Sequence, residues 1–121
     1  MKLILSESNR SEFNTLSKYL ESWGFQVIDK RSESSIVAAV KTTHDIGIVM
    51  VGEGEIRIEQ LKKRLLKLRP GIFVLHLASD IDGFDGSQAD IILKKPLDTD
   101  RLKIQLYGIK KAIEIAQMDA Y

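Results

Sequence analysis

The side chains that could do chemistry sit in a few short runs. Glu7-Ser8 follows the first apolar run, and Lys94-Lys95-Pro96 follows the last. Asp80, Asp82 and Asp85 crowd a stretch with two glycines, and the imidazoles are His44 and His76. Carboxylates can hold a hard divalent cation or pair with a lysine, and an imidazole can ligate a metal or move a proton. Cysteine is absent, which excludes disulfides, thiolate metal sites and cysteine nucleophiles. A glycine pattern able to cradle a phosphate is missing after the first apolar run.

The elements that must position these residues alternate. Lys2-Leu3-Ile4-Leu5 is apolar without alternation, as a strand buried on both faces is. Asn9 and Glu12 have capping-box spacing, with Asn9 accepting from the Glu12 amide and Glu12 reaching back. Phe13, Leu16, Leu20 and Trp23 then stripe a helix that Gly24 ends. Phe25 to Asp29 predicts a more polar strand at an edge. Ser32 caps a short helix to about Thr42, with Ile36, Ala39 and Val40 inward. Ile46 to Val51 predicts the central strand. Ile58, Leu61, Leu65 and Leu68 stripe a third helix, stopped by Pro70-Gly71. Ile72 to Ala78 and Ile91 to Leu93 predict two further strands. Asp98 or Thr99 opens a last helix to about Met118, with Leu106, Ile109, Ile113 and Ala116 toward the sheet.

This alternation predicts an α/β chain with a flavodoxin-like, doubly wound, five-stranded parallel sheet in the order 2-1-3-4-5. Residues 79–89 lack apolar periodicity, so the fourth helix is expected to be short or missing. A length of 121 residues fits a single domain spanning 1–121. The 44% apolar and 29% charged fractions argue against a disordered chain. A formal charge of +1 argues against a strongly basic nucleic-acid binder. Apolar runs too short for a bilayer, and the lack of a leader pattern, lead us to expect a soluble cytoplasmic protein without membrane contact.

Ala89-Asp90-Ile91-Ile92-Leu93-Lys94-Lys95-Pro96-Leu97-Asp98, with Trp23-Gly24-Phe25 and the spacing of the elements, resembles the receiver domain of two-component response regulators. The resemblance covers nearly the whole chain. It implies an acidic pair holding Mg²⁺ after the first strand and a phosphoacceptor aspartate ending the third. It also implies Thr or Ser ending the fourth strand, and Lys before a cis-proline ending the fifth. On that pattern Glu7 takes the first acidic place and Ser8 the second. Met50 falls on the phosphoacceptor, His76 on the Thr/Ser place, and Ile92 where a switching aromatic commonly sits. Lys95 and Pro96 match. A thioether cannot form an acyl phosphate, and one carboxylate is a poor Mg²⁺ site, although Glu53 or Glu55 could add a second. Asp45 cannot stand in for Met50, because it starts the strand that Met50 ends, about 16 Å away at ~3.3 Å per residue. Lys95 is expected to pair with Glu7.

The expected function is therefore that of a degenerate receiver, a pseudo-receiver with no enzymatic activity and no cofactor. It would act in signal transduction through protein contacts, independent of aspartyl phosphorylation. The partner would be another signalling protein or an output domain. Three alternatives stay open: a receiver phosphorylated at a non-standard residue in a phosphorelay, a metal-dependent phosphoesterase, and a structural oligomerisation module. For the phosphoesterase, Asp80-x-Asp82 with Glu7 resembles the acidic set of a Toprim site. A second apolar set on the last helix, Ile104, Tyr107, Ile115 and Met118 with Lys111 between, marks a candidate interface and a possible homodimer. The basic third helix reads as a solvated face, so nucleic acid is not expected as a partner.

Overall fold

A computed structural model of the chain describes residues 1–52, 54–78 and 89–119, with side chains through Gln117. The five strands are β1 (Lys2–Ser6), β2 (Gln26–Asp29), β3 (Ile46–Val51), β4 (Phe73–Ala78) and β5 (Ile91–Lys94). The helices among the described residues are α1 (Arg10–Ser22), α2 (Glu33–Thr42), α3 (Ile58–Leu68) and α4 (Thr99–Asp119). All strand pairs are parallel, in the order β2-β1-β3-β4-β5. The stretch between β4 and β5, where a fourth helix was expected to be short or missing, falls mostly at 79–88, outside the described residues.

Alternation along the central strands sends side chains into two cores. Leu3, Leu5, Ile48, Met50, Leu75 and Leu77 face α1 and α4, where Leu16, Leu20, Leu102, Leu106 and Ile109 close the layer. Ile4, Val49, Val51 and Val74 face α2 and α3, against Ile36, Val40, Leu61 and Leu65. Each fully buried side chain of this kind contributes about 1.5–3 kcal/mol. A strand feeding both layers has no polar face, which is why β1 and β3 read as unbroken apolar runs. Gly47 in β3 lets α4 approach, since a Cβ there would lie 2.8 Å from Ile113 Cδ1.

Local signals set most boundaries. Gly24 ends α1 at φ 93°, and Ser32 caps α2 by accepting from the Ser35 amide at 3.2 Å. Asp98 caps α4 by accepting from the amides of Asp100 and Arg101. Two expected inward residues are exposed. Leu68 is the last residue of α3, and Ala116 lies in the final turns of α4, beyond its buried stripe of Leu102, Leu106 and Ile109. No helix among the described residues is long and apolar enough to cross a membrane.

The short edge strand β5 is fixed by Asp90. Its amide donates to Val74 O at 2.9 Å, and its Oδ2 accepts from the Val74 amide at 2.8 Å. Its Oδ1 meets Lys62 Nζ of α3 at 3.0 Å. We expect Asp90→Ala to cost about 1–3 kcal/mol, because it removes one charged acceptor from a backbone N–H and from a lysine. Urea unfolding checks this, and an unchanged midpoint would contradict it.

Candidate functional site

The strand order reverses between β1 and β3, and the crevice outside their carboxyl ends is where this architecture places ligands. Glu7 follows β1 there. It is a carboxylate only 1% exposed, so it needs partners. Its Oε1 accepts from the Asn9 amide at 3.1 Å, and its Oε2 accepts from Lys95 Nζ at 2.9 Å. Lys95 also binds the half-exposed carboxylate of Glu12 on α1. One ammonium therefore ties the end of β1, the first turn of α1 and the loop after β5.

This arrangement revises the capping box. Asn9 does accept from the Glu12 amide, at 3.2 Å. The return arm comes from Glu7, which takes the Asn9 amide, and Glu12 turns to Lys95 instead. A buried carboxylate two residues before the helix satisfies the cap amide and frees the helix carboxylate for a tertiary partner.

Gly52 follows β3 and closes the crevice. Its amide donates to Ser6 O at 2.7 Å. A Cβ on Gly52 would lie 1.8 Å from Glu7 Oε2, so no side chain fits while Glu7 holds this position. Gly52, and not Met50, therefore lies against Glu7. Met50 is fully buried, packed with Leu5, Ile48 and Leu75 one layer below the crevice. Met50 and Gly52 share a strand face, and Gly52 is the one beside Glu7.

The place expected for His76 is the end of the fourth strand. His76 lies inside β4 opposite Val51, and the carboxyl end of that strand is Ala78, whose O accepts from the Lys95 amide at 2.7 Å. Burial first, then the positive charge of Lys95, hold the His76 imidazole below its usual range. For Lys95, burial pulls its pKa down, but the hydrogen bonds and charges of Glu12 and Glu7 more than offset this, and its pKa is raised.

Of the other expected pocket residues, Ser8 is exposed, and Pro96 follows a cis Lys95-Pro96 peptide. A cleft between α1 and the loop after β5 is lined by Glu7, Glu12, Lys95, Pro96, Leu97 and Thr99, among others. Glu55 lines a different cleft, with Arg31 and Arg57. Glu53, Asp80 and Asp82 lie outside the described residues. Asp45 sits at the opposite rim, 3.9 Å from the terminal amine. On α4, Ile104 is 73% exposed, and Tyr107, Lys111 and Ile115 are exposed as well. The side chain of Met118 lies outside the described residues.

Among the described residues the donor set does not suit Mg²⁺. That ion wants several hard oxygens in octahedral geometry. Both Glu7 oxygens are already engaged, and an ammonium lies between Glu7 and Glu12. No group of three or more potential metal-ligating side chains exists among the described residues.

No protein-family model and no curated protein matches the chain. Solved structures do. The signal receiver domain of an HD domain-containing protein from Pseudomonas fluorescens superposes with a TM-score of 0.82 at 14% identity, covering 97% of this chain and 91% of that one. A response regulator receiver domain protein from Methanospirillum hungatei gives 0.75 at 15%, covering 98% and 97%. An adenylate cyclase from Rhodopirellula baltica gives 0.80 at 18%, covering 98% and 93%. At these identities the likeness establishes the receiver fold and nothing finer.

Two outcomes follow from the geometry. Lys95→Met leaves the buried Glu7 carboxylate without its cation and should cost about 3–5 kcal/mol, whereas Glu12→Gln should cost under about 1 kcal/mol. Urea unfolding of both variants checks this, and equal small losses would contradict it. The second concerns pH. An imidazole whose folded pKa lies below the unfolded 6.5 leaves stability intact above that value. As pH falls through 6.5, the unfolded chain takes up the proton first and stability drops. Between about pH 7 and pH 5 the wild type should therefore lose more stability than His76→Gln, and parallel curves would contradict the assignment.

Proposed function

We infer that the chain is a receiver-like signalling domain that works through protein contacts without aspartyl phosphorylation. The observation that carries this reading is the contact of Gly52 with Glu7. Gly52, the residue that follows β3 and lies against the buried carboxylate, has no side chain, and the space a carboxylate there would need is occupied by Glu7 Oε2. An acyl phosphate requires an aspartate or glutamate oxygen as nucleophile, and Gly52 has none. The cation that would offset phosphoryl charge is also spoken for, because Lys95 is held by two carboxylates.

On this reading, residues 1–121 form a single domain with no enzymatic role. Its partner is another signalling protein or an output domain in the cytoplasm, and the exposed face of α4 is where a second copy of the chain would pair. The bridge of Glu7, Lys95 and Glu12 takes the part of a fixed internal counter-ion, so α1 and the loop before α4 keep one relative position. A surface built on α4 is then presented constantly, and its signal comes from binding or abundance.

Incubating the protein with a small-molecule phosphodonor and Mg²⁺, followed by intact mass measurement, tests the reading. We expect the mass of the unmodified chain. A stable adduct of one phosphoryl group would overturn it and return phosphorylation at a non-standard residue.

A further inference from the structure

We propose that the outward face of α4 docks on the same face of a second copy of this chain, with the two helices antiparallel about a two-fold axis. The proposal rests on the reading of the chain as a contact module and specifies the contact. Leu102, Leu106 and Ile109 commit one side of α4 to the core. On the opposite side, at 100° per residue, lie Ile104, Gly108, Lys111 and Ile115. Their steps of four, three and four are those of a two-helix seam. Ile104 is 73% exposed and Ile115 is 49% exposed. A Cβ on Gly108 would meet nothing within 4 Å among the described residues.

This seam is complementary to itself in one register. With the axis between residues 109 and 110, Ile104 of each copy opposes Ile115 of the other. Between those two apolar layers, Lys111 opposes Gly108. The missing side chain of Gly108 leaves room for the lysine stem. The ammonium can then reach the ring of Tyr107 in the other copy, a ring that its own Lys103 approaches at 5.6 Å. On the flank, Lys103 of one copy falls beside Glu114 of the other, and the helix dipoles run opposite ways. A parallel pairing would set Lys111 against Lys111 and Gly108 against Gly108, a like-charge contact beside a void. A two-fold interface requires each patch to fit its own copy, and this stripe meets that requirement at isoleucine, glycine and lysine together.

The absence of cysteine makes the test direct. Ile104→Cys and Ile115→Cys each introduce one thiol at an exposed position. Under mild oxidation we expect a disulfide-linked dimer when the two variants are mixed, and little from either alone. Light scattering of the wild type should show a mass that rises from monomer to dimer with concentration. Ile115→Asp should weaken dimerisation on the order of 100-fold while leaving the circular dichroism unchanged. A wild type that stays monomeric at millimolar concentration, cross-linking of Ile104→Cys alone, or dimerisation unaffected by Ile115→Asp would each overturn the proposal. None of these outcomes bears on phosphoryl acceptance, so this contact can fail while the functional reading stands.

Discussion

The burial of the Glu7 carboxylate is the constraint on which the site depends. A carboxylate 1% exposed at the junction of β1 and α1 is tolerated only if its oxygens are satisfied. The chain meets this from three directions. The Asn9 amide comes from the cap of α1, the Lys95 ammonium from the loop after β5, and the bare backbone of Gly52 leaves the room. These segments are far apart in sequence, and they converge because the sheet order puts β1 beside β3 while the loop after β5 reaches across β4. Removing any one contributor leaves a buried charge or a steric clash, so the pocket's parts are mutually dependent.

That dependence explains what could be read in the sequence. The five strands and four described helices were legible because two-sided burial writes unbroken apolar runs, and capping residues mark helix ends. The pairing of Lys95 with Glu7 was legible because few charges lie at the strand ends. The third strand's contribution was not. Met50 and Gly52 point to the same side of the sheet, and only the distance along the strand separates them. Sequence periodicity fixes the face of a residue but not which turn of the pleat lies beside Glu7. His76 and Ala78 differ in the same way. Glu12 was misassigned for another reason: its spacing from Asn9 satisfies a local rule, but a tertiary cation competes for the carboxylate and Glu7 replaces it at the cap.

The same contacts bear on function. In a receiver fold, signalling by phosphorylation needs a nucleophilic carboxylate and a seat for a divalent cation at the strand ends. Here a glycine faces the buried acid, and a lysine lies between two carboxylates. These contacts tie the end of β1, the first turn of α1 and the loop after β5 together. What varies outward is the surface, above all α4, whose two faces have different occupants: the sheet on one side and solvent-exposed isoleucines on the other.

The Lys95 ammonium lies between Glu7 and Glu12, and we expect it to keep Mg²⁺ from that position. A magnesium titration followed by nuclear magnetic resonance at the Gly52 amide tests it most directly, since that amide lies beside the Glu7 carboxylate. No saturable shift is expected through millimolar Mg²⁺. Saturable binding at the Gly52 amide, with displacement of the Lys95 side-chain signal, would contradict it.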